Sequence, residues 1–210
     1  MQKNIICSSA ATVLFLYPVH LYFQNFLKKK KRELERELGI DVLKVNRCLG
    51  FGIENKNNHC NHTEFSCNNL SCDIGKLCYV LNFVKRSKEC VDVCIYYLTA
   101  KVFANVFIEA HRRGVRVRVI ADDSNLEMTN SWISVFLREG IPVRQKISHN
   151  LMHHKFIVVD ETILINGSMN FTLAGAFKNI ESVLISSQPI LVQQFMNCFQ
   201  SMWTVLSPNN

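Results

Sequence analysis

The side chains of this sequence best suited to chemistry lie within residues 153–170. His153 and Lys155 stand two apart, Asp160 follows after four residues, and six more lead to Gly167-Ser168-Met169-Asn170. Residues two apart on a strand point the same way, so the imidazole and the ammonium can converge on one ligand. A histidine nitrogen can attack phosphorus and carry it as a covalent intermediate. A lysine ammonium neutralises non-bridging phosphate oxygens as charge shifts in the transition state. Gly167 permits close backbone approach, and the Asn170 amide can donate to the same oxygens. The apolar run 156–159 keeps this presentation rigid. His154 faces the other side of the strand and reads as structural.

Strands are predicted at 91–97, 115–120, 142–146, 155–159, 163–166 and 181–185, and helices at 101–113, 131–139 and 189–204. Gly114 and Gly140 stand where helix stops belong. This order argues for an α/β sheet flanked by helices. No internal repeat is visible, so the His153–Asn170 pattern occurs once.

The N-terminal part carries other signals. Residues 5–27 contain no Asp, Glu, Lys or Arg and as a helix reach roughly 34 Å, enough to span a hydrocarbon core. The run Lys28-Lys29-Lys30-Lys31-Arg32 follows, placing the downstream domain on the cytosolic side. That run supplies five of the positive charges behind the net +7, so the rest of the chain is only mildly basic. Five of the nine cysteines fall between residues 48 and 78, in a polar, Asn-rich stretch that cannot build its own core. Clustered thiols with histidines suit tetrahedral zinc, and disulfides are disfavoured in the cytosol. The expected ligands are Cys48, Cys60, His62 and Cys67, with Cys72 the leading substitute. The expected organisation is a membrane anchor with basic flank at 1–32, a connecting helix at 33–47, a zinc-binding insert at 48–78 and a catalytic domain at 79–206.

His153-x-Lys155, Asp160 and Gly167-Ser168-x-Asn170 together resemble the HxKxxxxD…GSxN signature of the phospholipase D superfamily. The resemblance implies a mixed β-sheet flanked by helices and a phosphodiesterase working through a phosphohistidine. It makes His153 the nucleophile, has Lys155, Ser168 and Asn170 hold the phosphate, and gives Asp160 a supporting place in the catalytic set. Glu181 is placed like the acidic residue that orients the nucleophile. The chemistry uses two histidines, so a chain with one motif implies a homodimer with the phosphate on its two-fold axis. Lys155 and Asn170 supply the charge stabilisation, so no catalytic divalent metal is implied; zinc, in this reading, is structural.

The anchor, the Cys/His insert, the basic stretch 112–119 and Met152-His153-His154-Lys155-Phe156 narrow the resemblance to the Zucchini, or mitochondrial phospholipase D, family. That family implies the mitochondrial outer membrane with the catalytic domain facing the cytosol, and two activities: cleavage of single-stranded RNA in piRNA processing, or hydrolysis of cardiolipin to phosphatidate. Arg112, Arg113, Arg116, Arg118, Arg144 and Lys146 are candidates to track an RNA backbone, with Arg116 and Arg118 sharing a strand face. A lipid substrate calls for an apolar rim, for which Phe51, Phe65, Phe171 and Phe177 are candidates that can equally be core. The sequence reading favours the ribonuclease over the lipid hydrolase. A non-catalytic membrane scaffold is a third class, against which the intact His153, Lys155, Asn170 and Glu181 argue.

Overall fold

Apolar residues recur at every second position through most of the strands, with apolar residues also on the alternate positions of the central ones, so both faces of the sheet must be covered. A computed structural model describes residues 45–52, 66–146 and 150–207. Residues 44–210 form one compact unit. The expected membrane anchor, the expected connecting helix as far as residue 44, Cys60, His62 and Phe65 lie outside the described residues; Asn46 and Arg47, expected in that helix, instead open the first strand. No helix among the described residues is long and apolar enough to cross a membrane.

In chain order the elements are β1 (Asn46–Phe51), α1 (Asp73–Lys85), β2 (Cys90–Ile95), α2 (Lys101–Arg112), β3 (Arg116–Asp122), α3 (Ser124–Glu127), α4 (Ile133–Arg138), β4 (Val143–Lys146), β5 (Lys155–Val159), β6 (Ile163–Gly167), α5 (Leu173–Phe177), β7 (Glu181–Ser186) and α6 (Pro189–Val205). The strands form one seven-stranded mixed sheet in the order β1-β7-β6-β5-β2-β3-β4. The β2–β3 and β3–β4 pairs are parallel and the others antiparallel. This is the mixed, helix-flanked sheet expected from the sequence.

Side-chain alternation divides the core in two. Val91, Val93, Ile95, Val117, Val119, Ile157, Val159 and Ile165 face one way and pack with α1, α2, α4 and α5. Cys94, Ile120, Phe156, Val158 and Leu164 face the other way, where α6 covers them with Val192 and Phe199. Gly114 and Gly140 follow α2 and α4 at φ +90° and +81°, the left-handed geometry that ends a helix and suits glycine.

Residues 48–78 do not form a separate insert along their whole length. Cys48 is a strand residue of β1, paired with Leu184 of β7. Cys72 caps α1, its Sγ accepting from the Gly75 N–H at 3.2 Å, and Cys78 lies within that helix. Apolar Leu49, Phe51, Leu77, Val80 and Leu81 lie among the polar residues and are enough to draw both elements into the main core.

Candidate active site

Four strand ends meet at one edge of the sheet. The C-terminal residue of β2, Ile95, pairs with the first residue of β5, Lys155. The last residue of β6, Gly167, pairs with Val183 near the start of β7. His153, Lys155, Ser168, Asn170 and Glu181 therefore come from the same edge although they span 29 positions of chain. Gly167 is required there because a Cβ on it would sit 2.0 Å from the Ser182 carbonyl oxygen.

His153 is exposed in the extended segment before β5. Lys155 is buried, 8 % exposed, and its Nζ donates to the His153 carbonyl at 2.8 Å. Tyr96, the residue after β2, joins the two. Its ring lies 4.7 Å from the His153 ring and 5.0 Å from Lys155 Nζ, a cation–π contact. The Tyr96 hydroxyl is 3.0 Å from that of Tyr97, and this hydrogen bond, with burial behind it, pushes the Tyr96 phenol up to about 12. Burial pushes the Lys155 ammonium down from its ordinary value, while the Glu181 carboxylate pulls it back up. The lysine and the acid are thus one electrostatic unit.

Glu181 is held in place rather than free to swing. Its carboxylate accepts from the Ser168 hydroxyl and, at 3.0 Å, from the Asn179 amide. Ser168 Oγ in turn accepts from the Ser182 N–H at 3.1 Å. Ser168 thus orients Glu181, a different duty from direct phosphate binding. Asn170 is placed by its successor, since the Phe171 N–H donates to the Tyr97 carbonyl at 3.0 Å. Asn170 Oδ1 is buried with no hydrogen-bond partner among the described residues, an acceptor left for a donor.

The segment leading to His153 is tethered by Asp122 at the end of β3. This carboxylate, 1 % exposed, accepts from the Met152 N–H at 2.8 Å and from the backbone and hydroxyl of Ser124. Burial works to raise the Asp122 carboxyl, but the hydrogen bonds from Ser124 and Met152 outweigh it and hold the group below the usual range. Asn125 staples the same corner, donating to the Asp122 carbonyl at 2.9 Å and accepting from the Leu98 N–H at 3.2 Å.

Asp160 does not belong to this site. It sits past the other end of β5, and its carboxylate accepts the N–H groups of Lys88 (2.9 Å), Glu89 (2.8 Å) and Cys90 (3.0 Å). Four residues, five steps of strand, separate it from Lys155, about 17 Å. Its place is the cap that fixes the entry to β2, so its assignment to the catalytic set is corrected.

The described arginines do not assemble the expected basic groove, and the side chain of Lys146 lies outside what is described. Arg118 makes a bidentate pair with Asp92 (2.8 and 2.7 Å) and lies over the Phe199 and Trp203 rings at 4.8 and 5.2 Å. Arg116, at the start of β3, faces Glu161 at 3.6 Å. Both stand at the Asp160 end of the sheet, so their assignment as substrate-binding residues is corrected. Arg112 forks onto Glu139, Arg113 bonds the Val84 and Ser87 carbonyls, and Arg144 stacks on Trp203 at 4.2 Å. Opposite charges, aromatic faces and, for Arg113, backbone carbonyls hold these cations. Phe51 and Phe171 are core residues, Phe171 stacking on Phe103 at 4.7 Å.

Of the expected zinc ligands, Cys67 and Cys48 are described. Cys67 Sγ lies 3.4 Å from Cys72 Sγ, beside the start of α1. Cys67 also accepts the Asn69 N–H at 3.3 Å, and amide-to-sulfur bonds of this kind suit a thiolate ligand. Cys48 is exposed, and alternation turns it to the face opposite Leu49 and Phe51. Cys72 is therefore the neighbour that the structure supplies for Cys67. Among the described residues no group of three or more His, Cys, Asp or Glu gathers around one point.

Residues 80–203 match the family model described as "Cardiolipin synthase, PLD-like domain". The chain belongs to this phospholipase D-like family. Among curated relatives it is 35 % identical over 123 residues to a mitochondrial cardiolipin hydrolase of Chlamydomonas reinhardtii, a match taking in 59 % of this chain and 55 % of the relative. It is 32 % identical over 129 residues to the Homo sapiens protein of the same name, 61 % of this chain and 51 % of that one. The chain thus spans a little over half the length of these relatives. The crystal structure of Nuc, a phospholipase D family member from Salmonella typhimurium, superposes with a TM-score of 0.57 at 29 % identity, covering 61 % of this chain and 86 % of Nuc. NucT from Helicobacter pylori gives a TM-score of 0.61 at 17 % identity, over 76 % of this chain and 97 % of NucT, a likeness of fold. Tyr96, Asp122 and Asn125 are the site residues that sequence reasoning missed. The aromatic pair and the acid, each at the C-terminal end of a parallel strand, were the available signal.

Proposed function

We propose that this chain hydrolyses a phosphodiester carried by a phospholipid, using His153 as nucleophile in a site completed by a second copy of the chain. The observation that carries this reading is the unit of His153, Tyr96, Lys155 and Glu181 at one sheet edge. A buried ammonium beside an exposed imidazole is a seat for an anion, and the imidazole supplies the attacking electron pair.

The steps balance without a metal ion. His153 nitrogen attacks phosphorus, a P–N bond forms, and the P–O bond to the leaving alcohol breaks. The histidine of the second copy protonates the departing oxygen, then takes a proton from water as that water attacks phosphorus and the P–N bond breaks. Lys155 offsets the charge on the non-bridging oxygens and Asn170 donates to them. Glu181, set by Ser168 and Asn179, favours the charged form of Lys155.

The phospholipid reading is supported by the name carried by the curated relatives and by the commitment of Arg112, Arg113, Arg116, Arg118 and Arg144 to partners within the fold. Those relatives also support a mitochondrial membrane as the place of action. Structural zinc on Cys67 and Cys72, with Cys60 and His62 as further donors, completes the proposal; the metal would pin the polar stretch to the start of α1.

The test incubates the full chain with cardiolipin vesicles and, separately, single-stranded RNA, in EDTA and beside His153→Ala. Lipid turnover by the wild type and none by the variant is the expected result. RNA cleavage with intact lipid would assign the nucleic acid as substrate instead. Turnover of neither by a folded dimer would leave a scaffold.

A further inference from the structure

An open trough of about 560 Å³ runs from the catalytic histidine along the end of α6. That volume falls in the range of about 300–1,000 Å³ common for ligand sites. One wall is Leu151, Met152, His153 and His154; the other is Ser201, Met202, Val205 and Leu206. The chemistry needs His153 and nothing else on this list, so the apolar remainder calls for an explanation. Leu151 is 59 % and Val205 69 % exposed, large apolar surface that the fold itself leaves uncovered.

We infer that this trough seats an acyl chain of the diester whose phosphorus is attacked by His153, making Leu151, Met202 and Val205 determinants of substrate class; this rests on the hydrolase reading above. The argument is one of continuity. His153 lines the trough, so a diester held at that residue has this groove beside it for one of its substituents. Only an apolar substituent gains by lying against leucine, valine and methionine. The two methionines can repack around a chain of variable kink or length. His154 does not spoil the lining. Its ring packs edge-on to Phe156 at 5.6 Å, and burial, then the charge of Lys155, push it below its ordinary value, favouring the neutral ring.

Two soluble diesters separate this inference from the reading it rests on: methyl p-nitrophenyl phosphate and octyl p-nitrophenyl phosphate, which share the reacting bonds and differ only in the chain. Both are measured on the full-length wild type and on Val205→Lys and Met202→Gln, for turnover and for equilibrium binding by titration calorimetry. Each methylene fully buried tightens binding about fourfold, so two or three seated methylenes give the octyl ester an advantage of at least about tenfold. In both variants the octyl-to-methyl ratio falls to within about twofold. Turnover of neither ester with that binding ratio intact would remove the hydrolase reading and leave the trough. Equal binding of the two esters by the wild type would overturn the inference. So would unchanged ratios in folded variants. A shift of either variant from dimer to monomer in light scattering would also overturn it, by giving the trough to a second copy.

Discussion

Replacing Asp122 by asparagine tests whether the approach to His153 is held from β3. The aspartate has acceptors on both oxygens, one serving the Met152 N–H at 2.8 Å and the other the Ser124 backbone and hydroxyl. Asparagine keeps one acceptor and turns an NH2 group toward a donor on the other side. The site is 1 % exposed, so water cannot make up the loss. One charge-assisted bond lost in such a place costs about 2 kcal/mol, which lowers Tm by about 4–8 °C for a chain of this size. If the whole cost falls on the geometry of His153 in the transition state, kcat drops by up to about 30-fold. The pH dependence has a definite sign. Hydrogen bonds hold the Asp122 carboxyl below its ordinary value despite burial, so its stabilising contribution is present above the usual carboxylate range and is lost as pH falls through its own lower value. The Tm gap between wild type and Asp122→Asn should therefore close on acidification. Thermal melts from pH 7 to 3 and hydrolysis of bis(p-nitrophenyl) phosphate read both effects. A folded variant with kcat within twofold of wild type would refute the tether, and a Tm gap independent of pH would refute the charge argument.

Tyr96→Phe keeps the ring against His153 and Lys155 and should retain activity within about threefold, whereas Tyr96→Ala removes a contact worth about 1 kcal/mol on each side and should lose at least tenfold in kcat; equal activity of the two variants would sink this assignment. Glu181→Gln removes the charge that raises Lys155, so the alkaline limb of the kcat/KM profile should move to lower pH, and a limb that stays or moves up contradicts the pairing. Arg118→Met breaks the pair with Asp92, which is 8 % exposed, and should cost about 3 kcal/mol in urea unfolding while leaving kcat within twofold. A large loss of activity in that folded variant would return Arg118 to the substrate.

The candidate catalytic edge was legible in the sequence because its residues are spaced by the strands that carry them. Lys155 opens β5, Gly167 closes β6 and Glu181 opens β7, so a linear pattern maps onto one end of a sheet. Strand β1 and helix α1 were not legible, because Leu49, Phe51 and Leu77 are thinly spread among polar residues and cysteines. The arginines misled for another reason. Charge counts say nothing of partners far along the chain, and Arg118 meets Asp92 and Gln200 only after β2 and α6 are packed. Tyr96 gave only a weak signal for the same cause: a tyrosine ending a strand becomes a site residue only when β5 lies beside it.

The cap that Asp160 places on residues 88–90 gives the four-residue interval after Lys155 a metric meaning. The interval is a ruler laid across the sheet, one end locked to the turn before β2 and the other presenting the ammonium beside Tyr96. A residue inserted within 156–159 would lengthen the ruler by a single step and reverse its parity. With Asp160 still clamped, Lys155 would then hang on the α6 side and Phe156 would be driven toward the phosphate seat. The number of residues in that interval, and not only their apolar character, sets which face the ammonium takes.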